Sequence, residues 1–569
     1  MFKESEKNKQ MNLFSSPHTY LSGSAGKFYS NPLSWHNQFR EQVVARVDES
    51  IFSVLFHDDN GAPNYPARVL VGMSILKEGL GCSDSELFSR VSFDMLTRSA
   101  LGLMSLEDKT PSPSTWYLFR KKIVEHDREF GDDLMRKCMA QITREQMLEF
   151  NVAGSKIRMD SKLIGSNIAN CTRYGLIHDT VALFLEEREK YIKKRRFSDE
   201  DTRLMKEILE QTGEHAVYAK SDARVKADLP RLGVLIQHLL RVFQKYPHGQ
   251  YQTLERVFDE QFETAGDGTL VLKESKQVGG RSVQSPHDTD CTFRDKGGNK
   301  VKGYSINVTE TCDDQPGDED EDADPTLNLI SDVQVKDAGA ADNDYLQSAV
   351  DNTGELTCSG VENLYVDGAY NSSDNREYCE ENEIQLILTG LQGRPSRYDL
   401  SFDDAQDSLT VIDRETGEIQ QAIEAKPKKN TPVKRWRIKT GKGYRYFDEN
   451  DVEVSMLRRR LKEIPKEETN TRNNVEATIF QLGYHCPHGK TRYRTLGKHK
   501  LWAYSRSAWI NFRRILKHVT TTSERTLSGQ LSSCFFTGVP AKISFLVKIF
   551  FNNVKFSKSR EETAFWAVS

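Results

Sequence analysis

The chain has 569 residues, with 79 Lys and Arg against 83 Asp and Glu, 37% hydrophobic and 28% charged residues. That length supports several structural units and a large core, and the polarity is that of a soluble protein. The formal net charge of −4 neither favours nor excludes nucleic acid, because acid gathers between Asp313 and Pro325 and base in the last third.

Nine cysteines are scattered without a CxxC pair. An odd number with no secretory signal predicts reduced thiols and a cytoplasmic setting. His485-Cys486-Pro487-His488 lacks a second cluster at zinc spacing and reads as a loop. The apolar run Ile543 to Phe551 is flanked by Lys542, interrupted by Lys548 and far short of the roughly 20 residues of a membrane helix, so no membrane partner is expected.

In chain order, residues 1–34 are polar and read as a flexible arm. Residues 35–150 carry helical spacing. Val43, Val44, Val47, Ile51, Val54 and Leu55 form one stripe, and Val69, Leu70, Met73, Ile75 and Leu76 another, stopped by Gly79 and Gly81. Ser83-Asp84 opens a helix through Leu87, Phe88 and Val91, and Ser112-Pro113 opens another. The latter shows Arg120, Lys121 and Lys122. Two readings fit it: a helix-turn-helix-like DNA reader, or an ordinary bundle with solvated charges.

Ile157, Met159, Ser161 and Leu163 then alternate with Arg158, Asp160, Lys162 and Ile164, the period of a strand. Aspartate is depleted in strands. Asp160 therefore lies on a wet face or serves as a functional carboxylate. Residues 172–264 read as a helical insertion. A hairpin turning at Gly297-Gly298 follows, and residues 313–325 form an acidic loop expected to be disordered. LNLISDVQV reads as a strand and NDYLQSAVDN as a helix.

Glu362 to Gly390 reads as strand, helix, strand. Leu364, Tyr365 and Val366 end in Asp367-Gly368. Ser372 and Ser373 can cap a helix carrying Tyr378 and Cys379 inward, and Ile384 to Leu388 reads as a strand buried on both faces. Functional groups in open α/β sheets sit at the carboxyl ends of strands, where Asp367 falls; Asp-Gly also reads as a plain strand-ending turn.

Residues 391–470 are short alternating strands rich in base, with Lys434, Arg435 and Arg437 interleaved with Trp436, Tyr444 and Tyr446. Charges meet phosphate and rings stack on bases in nucleic-acid surfaces, while a solvated Lys-rich hairpin edge has the same composition. Residues 471–519 return to helices: Arg472 and Glu476 share one face four residues apart, and Trp502, Trp509, Phe512 and Leu516 form an inward stripe. Residues 520–569 carry no readable role.

Strands bearing Asp160 and Asp367 in one α/β unit, followed by a helix bearing Glu476, give the order β-β-β-α-β-α-β-α of an RNase H-like core. The segments IRMDSKLIGSNIANCTRYGL, SPHDTDCTFRDKGGNKVKGYSINVTET, NLYVDGAYNSSDN with QLILTG, and RNNVEATIFQLGYHCPHGKTRYRTLGKHK resemble the DDE transposases of bacterial insertion sequences. YPARVLVGMSILKEGLGCSDSELFSRVSFDMLTRSALG followed by SPSTWYLFRKKI resembles their helical N-terminal domain. With gaps, the resemblance covers Ser53 to Lys517.

The resemblance implies an α/β fold: an RNase H-like core over 151–390 and 471–519, a helical N-terminal DNA-binding domain over 35–150, and a β-rich insertion before the last catalytic helix. It implies Asp160, Asp367 and Glu476 as catalytic and metal-binding residues. Two Mg²⁺ ions, with Mn²⁺ as a substitute, would activate the nucleophile and stabilise the leaving oxygen. Arg120, Lys121, Lys122, Lys434, Arg435, Trp436, Arg437 and Arg472 are the expected DNA contacts. In many relatives the last helix carries a Tyr, Arg, Glu, Lys signature; here Thr469 stands at the Tyr position and Gly483 at the Lys position. Glu467 and Glu468 are weaker contenders for the third acid. The expected partners are double-stranded DNA, as terminal inverted repeats and target, and a second copy of the chain in the DNA complex. The expected reaction is hydrolysis at the element ends and transfer of the 3′-hydroxyl to target DNA. Alternatives are an RNase H-like nuclease without strand transfer and a catalytically inactive, transposase-derived DNA-binding protein.

Overall fold

The computed structural model describes residues 2–5, 16–56, 63–169, 172–210, 221–312, 326–357, 360–391, 393, 395–403, 407–427, 433–441, 443–463 and 465–536. The acidic loop 313–325 and residues 537–569 lie outside these, so the expected disorder of the loop concerns residues outside the described set.

At the centre, β1 (Lys156–Gly165) runs through a mixed sheet. Among the described residues four helices follow it: Arg173–Ile192, Asp199–Glu210, Asp222–Phe243 and Gln250–Gln261. They enclose their own core around Phe184, Leu235, Leu239 and Phe243. A small hairpin, β2 (Phe262–Thr264) with β3 (Leu270–Leu272), closes this insertion. A second hairpin joins β4 (Thr292–Lys296) to β5 (Asn299–Thr311). Its turn is the expected Gly297-Gly298, with φ of 62° and 87°. Two consecutive left-handed residues suit a right-twisted hairpin, and glycine adopts that geometry without steric cost.

β6 (Ile330–Asp337) lies antiparallel on β5, which lies antiparallel on β1. On its other side β1 pairs parallel with β7 (Asn363–Val366), and β7 pairs parallel with β8 (Gln385–Leu388). The core order is thus β6-β5-β1-β7-β8, with β4 extending β5. Parallel neighbours need a crossover, supplied between β7 and β8 by the helix Ser373–Glu381. Ser372 caps it by accepting from the Asn375 amide, and Cys379 is carried inward. β8 differs from expectation: it is an edge strand, with Gln385 exposed and Leu386 half-buried. Apolar residues alone do not distinguish a central strand from an edge strand.

Both sheet faces are covered. Ile157, Met159, Leu364 and Val366 pack against Leu346, Ala349 and Tyr370. Ile164, Tyr304, Ile306, Val308 and Val333 face the largest core among the described residues, shared with α1 (Ala67–Leu80), α2 (Pro113–Phe130) and the long helix Leu496–Phe536, the final helix of the described residues. α1 meets that final helix closely: a Cβ on Gly79 would fall 2.2 Å from the Trp509 ring. Phe39 packs edge-on against Phe512, with centroids 5.1 Å apart. Residues 35–150 therefore share their core with the sheet rather than enclosing one of their own.

The N-terminal segment also differs from the flexible arm expected of it. Helices Pro17–Tyr20 and Gly23–Ser30 form there, and Tyr29 is buried. His36 Nε2 and Asn37 Nδ2 both meet the Tyr29 carbonyl, which fastens the segment to the next helix.

Residues 398–448 form a separate meander: β9 (Tyr398–Asp403), β10 (Ser408–Asp413), β11 (Ile419–Ala425), β12 (Arg435–Thr440) and β13 (Gly443–Asp448), paired in chain order. The β-rich character of the insertion is as read from sequence. Its C-terminal part is helical, however: Glu449–Glu463 packs on the sheet through Val452, and α3 (Lys466–Leu482) begins before residue 471. Among the described residues, no helix is long and apolar enough to cross a membrane.

Candidate active site

Three acids far apart in sequence meet around one guanidinium. Asp160 sits mid-way along β1, Asp367 directly follows β7, and Glu476 lies on α3, which crosses β1. Arg472, one turn before Glu476, reaches all three. Its Nη2 is 3.0 Å from Asp160 Oδ2 and 3.9 Å from Asp367 Oδ2, and its Nη1 is 3.8 Å from Glu476 Oε1. The i,i+4 spacing puts Arg472 and Glu476 on one helix face, as expected.

Each acid is held differently. Asp160 Oδ1 accepts the Ser161 amide, leaving Oδ2 for the arginine. Burial raises the Asp160 pKa; Arg472 opposes the rise and the neighbouring Asp367 adds to it. Asp367 Oδ1 accepts the Ala369 amide, capping the short turn Gly368–Tyr370. Its Asp-Gly is thus both a turn former and a carboxylate donor to the cluster. Glu476 is the most open, with its side chain 64% exposed. Arg472 itself is nearly buried, and its Nε has no hydrogen-bond partner among the described residues.

The donor set is all carboxylate oxygen, the type that Mg²⁺ prefers. As they stand, these carboxylates surround a guanidinium, and among the described residues no group of three or more His, Cys, Asp or Glu is arranged to hold an ion. Their oxygens are of the donor type a divalent cation takes, and all three face one positive charge, the Arg472 guanidinium. The side chains of Glu467 and Glu468 lie outside the described residues; their backbone forms the first turn of α3.

A second cluster lies beneath the first and was not found from sequence. Glu310 on β5 is fully buried, directly across from Arg158 on β1. Its Oε1 accepts from Arg158 Nε at 2.6 Å, and its Oε2 accepts from Thr478 Oγ1 at 2.7 Å and Arg514 Nη2 at 2.8 Å. Arg158 also donates to the Thr471 carbonyl at 2.7 Å. Burial alone would raise the Glu310 pKa; Arg514 and Arg158 outweigh it and hold the carboxyl below its ordinary value. Arg158 lies two residues before Asp160 and Thr478 two after Glu476. Glu310 therefore ties the strand and the helix that present those acids. A lone glutamate in the apolar alternation of GYSINVTET was the available sequence signal, since a buried charge requires partners.

The expected DNA contacts separate into different environments. In α2, Arg120 lies over the Trp116 and Tyr493 rings, at 4.5 and 5.1 Å, facing the core. Lys122 donates to the Leu55 carbonyl at 2.7 Å. Lys121 points outward, beside Glu125. The three are consecutive, and the 100° step of a helix sends them in different directions.

In β12, Trp436 corrects the expectation of a DNA-facing ring. It is buried, packing on Phe402 with centroids 5.3 Å apart, because period two places it opposite Arg435 and Arg437. Lys434 lies over Phe402 and Trp436 and pairs with Asp407 at 2.5 Å. Arg435 and Arg437 lie over the outer rings of Tyr446 and Tyr444, at 4.8 and 4.6 Å. Lys428, Lys429 and Lys442 lie outside the described residues.

The His485 to His488 stretch, read as a loop, runs into the short 3-10 helix Pro487–Gly489. Cys82, Cys138, Cys291, Cys312, Cys379 and Cys486 are buried, unpaired thiols.

Comparison with known proteins adds one finding about the helices beside this site. No curated protein and no solved structure matches the chain. Residues 29–122, which contain α1 and most of α2, match the family model described as Transposase domain (DUF772), and this supports a transposase family for the chain.

Proposed function

We propose that the chain is a DDE transposase with an RNase H-like core, and that Asp160, Asp367 and Glu476 are its catalytic carboxylates. The observation that carries this reading is the meeting of these three acids around Arg472. The core order β6-β5-β1-β7-β8, with antiparallel then parallel pairing, supports the fold assignment. The transposase-domain match supports DNA processing.

Asp160, Asp367 and Glu476 would hold Mg²⁺, with Mn²⁺ as a substitute. When bound, such ions activate the attacking oxygen and stabilise the leaving one. The chain's own residues do the rest. Asp160 and Asp367 are fixed by backbone amides, so they present one oxygen each without reorganising. Glu476 is open to solvent on the approach side. Arg472 offsets part of the cluster's negative charge at rest and is a cation able to move to a DNA phosphate. Outer-face Arg435 and Arg437, with Lys121, are the remaining phosphate contacts of the reading. Double-stranded DNA, as element ends and target, is the proposed substrate, and two copies of the chain would bring two ends together.

The test incubates the protein with DNA carrying the sequences that flank its coding region, a target plasmid and Mg²⁺. Joined products are expected. Cut but unjoined ends would instead identify a nuclease, and sequence-specific binding without cutting an inactive DNA-binding protein.

A further inference from the structure

Beyond the acid cluster, the end of α3 and the turn after it carry an exposed aromatic pair. Phe480 is one turn past Glu476 and 65% exposed; Tyr484 is one turn further and 49% exposed. Their ring centroids are 6.2 Å apart. Large rings this open have lost the burial that usually stabilises them.

Lys162 stands beside them. It lies two residues beyond Asp160 on the same face of β1, and its Nζ meets the Ile479 carbonyl at 3.4 Å. Among the described residues it has no carboxylate partner, whereas Arg472 nearby has three. Its ammonium fills the space over Gly483, where a Cβ would fall 2.7 Å from Nζ. A side chain at 483 and Lys162 in this position exclude one another.

The rings are held in place from below. His485, adjacent to Tyr484, sits over Gly81, where a Cβ would come within 2.5 Å of its Nδ1. Its Nε2 is 3.3 Å from the Gly79 carbonyl. The C-terminus of α1 thus seats the turn that carries Tyr484.

A ligand suited to this place needs a flat apolar surface for the rings and an anion for the ammonium. A nucleotide has both, and base stacking requires that the base be out of its duplex. We propose that Lys162, Phe480 and Tyr484 form a subsite for an unpaired nucleotide adjoining the acid cluster, one ring stacking on the base, the other, set at 69° to it, meeting the base edge, and Lys162 meeting its phosphate. This rests on the DNA-processing reading above.

The test measures binding of the full chain, in chelator, to a blunt duplex and to the same duplex with a short unpaired overhang. Wild type should prefer the overhang by about tenfold, the scale of one stacked base. Phe480→Ala combined with Tyr484→Ala should abolish that preference while leaving blunt-duplex affinity and Tm unchanged; Phe480→Trp should keep it. Lys162→Ala should make the salt dependence of overhang binding shallower by about one phosphate contact, and Lys162→Arg should restore it. Equal wild-type binding of the two duplexes, or a preference that survives loss of both rings, would overturn the subsite alone. Failure to bind either duplex would overturn the DNA-processing reading and the subsite with it.

Discussion

Arg472 Nη2 and Asp160 Oδ2 stand 3.0 Å apart, joining the middle strand of the sheet to the helix that carries Glu476. Through the same guanidinium Asp367 and Glu476 are drawn to one point. Arg472→Ala should leave three carboxylates facing one another. In chelator the variant is expected to lose about 1–3 kcal/mol, between the scale of an exposed ion pair and that of a buried one broken from one side. Mg²⁺ should then raise its Tm more than that of wild type. Thermal unfolding across a Mg²⁺ titration measures this; equal shifts for the two proteins would count against a shared cation site.

Glu310 is the buried tie between those elements. Glu310→Gln leaves Arg158 and Arg514 without their counter-charge. Breaking a buried pair from one side costs about 3–5 kcal/mol. Thr478→Ala removes one neutral donor to the carboxylate and should cost nearer 1–3 kcal/mol. Denaturant unfolding of both variants checks the order.

The shared core bears on residues 35–150. Phe39 and Gly79 close upon Phe512 and Trp509, so a fragment ending at Phe150 exposes that surface. It is expected to show no cooperative thermal transition. In the full chain Trp509→Ala should cost about 3–5 kcal/mol. A sharp transition for the fragment would restore the separate N-terminal domain expected from its helical spacing and from the resemblance.

Asp332 makes stability depend on pH. Burial, opposed by the donors Gln334 and Asn352, pushes its pKa up to about 6. A carboxyl raised above its unfolded value holds more protons folded than unfolded. Its contribution is therefore greatest below the unfolded pKa and is lost as pH rises to about 6. In Asp332→Asn this decline should be absent, as read by unfolding at pH 4, 5, 6 and 7.

The site was legible where local patterns sufficed. Period two exposed Asp160 as an acid in a strand, a short apolar run marked Asp367, and i,i+4 spacing linked Arg472 to Glu476. The glycine pair at 297 and 298 marked its hairpin. What stayed hidden depends on distant pairing. Glu310 gains meaning only from β1, α3 and the final helix meeting over it. Trp436 was grouped with its basic neighbours by composition, although its parity already placed it on the opposite face. Arg120 to Lys122 was one basic run in sequence and three separate directions on a helix.

The most direct measurement is Mg²⁺-dependent cleavage of end DNA by Asp160→Asn, Asp367→Asn and Glu476→Gln, with Tm and DNA affinity recorded alongside. Each substitution keeps shape and removes one charge, so metal chemistry is separated from packing. All three variants are expected to bind DNA, fold, and show no cleavage or strand transfer. Substantial cleavage by any one of them, well folded, would remove that residue from the catalytic set; cleavage by all three would contradict the assignment of this acid cluster as the active site.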